Sequence, residues 1–100
     1  MKKGVNMRKV TVSRPQKIQL HFFKGKILID GKECEVVKAG KTVVFEIPDG
    51  DHDIQVIFAA VPPVNSNVLL IEQSEGDITL EVKITVPLKN DETYAELIRK

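Results

Sequence analysis

The sequence predicts a small all-β domain of the sandwich type, and three observations carry that reading. Turn signals recur along the chain at Lys24-Gly25, Asp30-Gly31, Ala39-Gly40, Asp49-Gly50, Asn65-Ser66 and Glu75-Gly76, mostly about ten residues apart from Gly31 onward. That spacing suits a succession of short strands. Between the turns, apolar and polar residues alternate with a period of two, which places one face of each strand in a core and the other in water. The chain is also rich in Val and Ile, whose branched side chains favour strands.

Taken in order, Val10 and Val12 alternate with Lys9, Thr11 and Ser13. Ile18, Leu20 and Phe22 alternate with Lys17, Gln19 and His21. Lys26–Ile29 and Glu33–Val37 flank Asp30-Gly31, a two-residue hairpin signal. Val43, Phe45 and Ile47 form the next inward stripe, and Pro48-Asp49-Gly50-Asp51 turns into Ile54, Val56 and Phe58. Val68–Ile71 is apolar on both faces and reads as a central or doubly covered strand. Ile78, Leu80, Val82, Ile84 and Val86 give the cleanest alternation. Seven to eight short antiparallel strands leave more edge than one open sheet tolerates, so two packed sheets are expected, Ig-like in architecture. The last residues read differently. Asp91 suits a helix cap, Glu92 a first turn, Arg99 and Lys100 a last turn, and Tyr94, Leu97 and Ile98 share one helical face. A short C-terminal helix is therefore expected over residues 90–100, after a core of about 7–88.

One hundred residues make a single domain with one core. A hydrophobic content of 42% with 29% charged residues excludes a disordered chain. The lone Cys34 cannot close an internal disulfide, and no stretch approaches the ~20 apolar residues of a membrane helix. No membrane span is expected. The expected compartment is the cytoplasm, or else the chain is a soluble module of a larger membrane or exported protein. The net charge of +1 hides an asymmetry. Residues 1–29 hold eight basic and no acidic side chains, the remainder seven basic and all 14 acidic, so +8 is joined to −7.

Ile27-Leu28-Ile29-Asp30-Gly31-Lys32, Ala39-Gly40-Lys41 and Phe45–Val56, with its Gly50-Asp51-His52, resemble the PEGA-like group of small bacterial β-sandwich modules. Those modules show a strand ending in Ile-Asp-Gly, a Gly-containing turn, then Gly-x-His before an alternating strand. Val10-Thr11-Val12-Ser13-Arg14 fits a strand-plus-Arg opening of related domains, and the likeness spans about residues 10–86. Pro48-Asp49-Gly50 stands where a Pro-Gly element is usual. The resemblance implies an accessory or surface-binding unit without catalysis.

No motif carries chemistry. Asp49, Asp51 and Asp53 form a D-x-D-x-D string, but Ile54 and Ala60 stand where a calcium loop needs Gly and Glu, so a turn is expected. His52 and His21 have no nucleophile tied to them by any motif and read as structural or solvent-facing. Cys34 lies between Glu33 and Glu35, which disfavour a thiolate. No catalytic residue, metal or cofactor is expected. Two surface features remain. Lys2, Lys3, Arg8, Lys9, Arg14 and Lys17 are candidates for an anionic partner, with Phe22 and Phe23 available for stacking on a nucleic acid. The bland reading of these cations is pairing with acidic neighbours such as Glu46 or Glu81 across the sheet. Val61, Pro62, Pro63 and Val64 form an apolar connection, either a docking patch or a plug closing one end of the sandwich. The expected function is a non-catalytic accessory or protein-interaction module, its partner another protein or a second copy joined through a strand edge or the Tyr94-Leu97-Ile98 face. Binding of nucleic acid or an anionic surface through the basic N-terminal third is the second reading.

Overall fold

The alternation resolves into nine strands in the computed structural model, which describes residues 6–15, 23–60, 63–85 and 94–100. They are β1 (Met7–Ser13), β2 (Gly25–Ile29), β3 (Lys32–Val37), β4 (Thr42–Pro48), β5 (His52–Phe58), β6 (Val64–Asn65), β7 (Leu69–Ile71), β8 (Ile78–Thr85) and β9 (Tyr94–Arg99). One sheet runs β4-β1-β8-β9; the other runs β3-β2-β5, with both β6 and β7 pairing the far side of β5. Their inner faces share one core, with Val10, Val12, Leu80, Val82 and Leu97 from the first sheet and Ile27, Ile54, Val56 and Phe58 from the second. Each large apolar side chain buried this way contributes roughly 1.5–3 kcal/mol. The strand expected over Lys17–Phe22, the residues Lys2, Lys3, Val61, Pro62 and Val86, and the expected helix start at Asp91 lie outside the described residues.

The Asp30-Gly31 hairpin forms as expected, with Ile29 opposite Lys32 and φ values of 53° and 83° at its two central residues. Two successive positive φ angles give the turn the hand that matches strand twist. Neighbouring pairs are antiparallel with one exception. β1 and β8 run parallel, Val10 against Ile78 and Val12 against Leu80. The whole second sheet intervenes between them in the chain, so no tight hairpin imposes opposite directions.

Three expectations need correction. Tyr94–Arg99 is a strand, not a helix, and pairs antiparallel with β8 from Leu80↔Arg99 to Thr85↔Tyr94. Ala95 and Leu97 enter the core, while Tyr94 and Ile98 stay on the outer face, so the supposed helical face is divided. A helix this short has little stability of its own, and the open side of β8 offers a full ladder instead. Val68–Ile71 is not a doubly covered strand. β7 lies at a sheet margin, with Val68 58% and Leu70 51% exposed. Lys24-Gly25 is not a turn centre either, since Gly25 is buried and opens β2 opposite Val37 and Phe58. A Cβ there would lie 3.1–3.2 Å from Val56, Phe58 and Val37, so the position needs glycine for close approach.

Candidate functional site: buried arginines and strand edges

β1 sets its even-numbered side chains inward, and the stripe Arg8-Val10-Val12-Arg14 carries an arginine at each end. Both arginines are only 3% exposed. Arg8 donates from Nη1 to the Glu72 carbonyl at 2.5 Å and from Nη2 to the Gly50 carbonyl at 2.6 Å, with a longer contact to Gly76 at 3.3 Å. It thereby ties the β4–β5 turn to the β7–β8 connection, where Gln73–Glu75 forms a 3-10 turn. At the opposite end, Arg14 donates to the Val37 carbonyl at 2.9 Å and lies over the Phe58 ring at 4.7 Å. Burial lowers the Arg14 pKa from its ordinary value.

These contacts revise the candidate anionic-partner site. Arg8 and Arg14 face the core, not a partner. Lys9 is exposed and stands opposite Glu46 across the β1–β4 ladder, the cross-strand relation expected of a solvated face. In the apolar connection, Pro63 is exposed. Val64 belongs to β6, pairs with Phe58 and packs against the core, an arrangement that suits the closing plug. The signal for the arginines was present in the sequence, because Arg8 and Arg14 share the period-two phase of Val10 and Val12.

The aspartate string supports turns. Asp51 accepts the Gln73 N–H at 2.8 Å, and the Asp49 N–H donates to the Asn6 carbonyl at 2.9 Å. His52 is structural. Its Nδ1 lies 2.7 Å from an Asp30 carboxylate oxygen and its Nε2 lies 2.8 Å from the Pro48 carbonyl. Both partners only accept, so both ring nitrogens are best satisfied as donors. The Asp30 hydrogen bond accordingly raises the His52 pKa above 6.5, and the same bond lowers that of Asp30. Among the described residues, no group of three or more His, Cys, Asp or Glu is arranged to hold a metal ion. No helix among them is long and apolar enough to cross a membrane.

The strand edges differ sharply in how they are finished. β3 carries a bulge, since Cys34 is the extra residue between the Ile27↔Glu35 and Leu28↔Glu33 pairs. Its Val36 N–H is taken by the Glu35 carboxylate at 3.0 Å. Burial and the Glu35 charge raise the pKa of the exposed Cys34 thiol. On β9, Asn67 accepts the Leu97 N–H at 2.8 Å and donates to the Leu97 carbonyl at 3.2 Å. Asn67 is presented there because Ser66 is anchored to β5, its N–H on the Val56 carbonyl and its Oγ on the Val56 N–H. Arg99 reaches from β9 to the Leu70 carbonyl of β7 at 2.6 Å and pairs with Glu75 through Nε and Nη2 at 2.7 and 2.8 Å. That pairing holds the Glu75 carboxyl at about 2, below its ordinary 4.5.

β4 has no such finish. Arg14 N–H to Lys41 carbonyl and Asp49 N–H to Asn6 carbonyl continue its ladder with β1 at both ends. In that phase the odd residues of β4 face β1, and the backbone groups of Thr42, Val44 and Glu46 point away from the sheet. Among the described residues, no group bonds to them. Val44 is 57% exposed, and Val43 and Phe45 are only partly covered. No protein-family model, curated protein or solved structure matches the chain.

Proposed function

We propose that this chain is a non-catalytic protein-interaction module that docks through the edge of β4. One observation carries the reading. Around the sandwich, each other described edge is interrupted by a bulge, a side-chain amide, a carboxylate or a guanidinium, whereas Thr42, Val44 and Glu46 of β4 present successive outward donors and acceptors that nothing among the described residues interrupts. Proteins manage unpaired edges because they template pairing with another chain, and an unmanaged edge is the surface on which strand addition works. The resemblance to PEGA-like accessory modules points the same way. The reading as a nucleic-acid or anionic-surface binder draws less support, because two of its six cations are turned into the core.

Capture from native lysate tests it, with and without nuclease, using the tagged protein and its Val44→Pro variant. Proline at 44 removes an outward donor and leaves the β1 ladder intact. A protein retained by the wild type in both arms and lost by the variant supports the reading. Retention abolished by nuclease moves the function to the basic N-terminal third. Substrate turnover abolished by a single polar-to-Ala change overturns a non-catalytic role.

A further inference from the structure

We infer that the strand added to β4 is β4 of a second copy of this chain, antiparallel and centred on Val44. The inference rests on β4 being the docking edge and names its occupant.

Self-complementarity selects the second copy. The outward backbone groups belong to Thr42, Val44 and Glu46, three positions symmetric about Val44. Two such edges related by a two-fold axis satisfy each other fully. Val44 exchanges both bonds with its counterpart, and each Thr42 exchanges both with Glu46 of the other copy, six bonds in all for a ladder in this register. The next outward position is Pro48, which lacks an N–H and ends the seam on both sides by symmetry.

The side chains agree with that register. On the outer face Val44 meets Val44, converting an exposed apolar side chain into a cross-strand pair. Thr42 meets Glu46, so no like charges oppose each other at the seam, and each Glu46 keeps Lys9 as its neighbour on β1. On the inner face Val43 meets Phe45 of the other copy. Both are half-covered residues packed against the core, and the seam completes their burial. An unrelated strand would have to supply this alternation itself, whereas a second copy carries it.

The seam is short. One strand against one strand buries less than the roughly 1,200 Å² typical of stable complexes, so the dimer is reversible and concentration-dependent.

Sedimentation velocity over a hundredfold range of protein concentration, with amide NMR on the same samples, tests the inference. The average mass is expected to rise from one chain toward two. Amide shifts and exchange protection should grow at Thr42, Val44 and Glu46 and leave Val43 and Phe45 nearly unchanged. Val44→Lys, on the exposed face, and Val44→Pro should stay at one chain throughout while unfolding as cooperatively as the wild type. A wild type that remains one chain at the highest concentration overturns the second copy as occupant, as does a dimer that survives both variants. If the wild type stays single but loses a lysate partner on Val44→Pro, the docking edge stands and its occupant is another protein. If it stays single and Val44→Pro changes no capture, both readings fall.

Discussion

The carboxamide of Asn67 and the backbone of Leu97 exchange two hydrogen bonds, 3.2 Å from Nδ2 to the carbonyl and 2.8 Å from the N–H to Oδ1. A side chain from the β6–β7 connection thus caps one outward position of β9. The sandwich is closed along that flank without adding a strand, and Arg99 repeats the device two residues on by binding the Leu70 carbonyl.

Asn67→Ala should reopen this edge. Two net hydrogen bonds are lost, and the Leu97 N–H and carbonyl return to water, so a destabilisation of about 1–2 kcal/mol is expected. Chemical denaturation measures it. The Leu97 amide should exchange much faster while the Val82 amide in the sheet interior does not. Unchanged exchange at Leu97 would show that the carboxamide does not seal the edge.

Arg8→Met removes the charged donors that hold the Gly50 and Glu72 carbonyls together. Because Arg8 is buried and holds both carbonyls, a loss of about 2–4 kcal/mol is expected. Lys9→Met, one residue away on the wet face, should stay within about 0.5 kcal/mol of the wild type. Equal and small effects would place Arg8 at the surface.

Gly25→Ala introduces a methyl group 3.1–3.2 Å from three core side chains. Overpacking of this kind typically costs about 1–3 kcal/mol. Pairing Gly25→Ala with Val56→Ala should recover part of the loss, since the cavity accepts the new methyl. Additive losses in the double variant would count against steric crowding.

Stability should respond to pH at two places, with opposite signs. His52 has its folded pKa raised above 6.5 by Asp30 and the Pro48 carbonyl, opposed by burial and by the Arg8 charge. Its contribution is therefore complete below 6.5 and disappears as pH rises through the elevated folded value. Glu75, held at about 2 against 4.5, contributes above 4.5 and loses that contribution as pH falls toward 2. In thermal melts across pH, His52→Gln should flatten the alkaline decline and, through the lost Asp30 hydrogen bond, part of the acidic one, whereas Glu75→Gln should flatten the acidic one alone. A decline above pH 6.5 that persists unchanged in His52→Gln would assign it to other groups.

The sequence was most informative where one face of a strand is plainly polar. Val10, Val12, Leu80 and Val82 were legible as core from alternation alone, and Asp30-Gly31 as a hairpin from its turn chemistry. Tyr94–Arg99 was not, because six residues satisfy helical and strand periods together, and the deciding factor is the open side of β8. Val68–Ile71 misled because an apolar outward residue such as Leu70 looks like a buried one. Arg8 and Arg14 share the inward phase of Val10 and Val12, a signal that their charge masks. The contrast among edges was beyond reach, since Asn67 and Leu97, or Glu35 and Val36, become meaningful as pairs only once the register is known.

Among the described residues β4 presents three successive outward positions without a partner, and amide hydrogen exchange of the dilute protein tests this opening most directly. Exchange at Thr42, Val44 and Glu46 should approach that of unstructured amides, while Val43 and Phe45 on the same strand, and Val36 and Leu97 on the finished edges, stay protected. Uniform protection along Thr42–Ile47 in the dilute single chain would show that this edge is already covered, and would contradict the account.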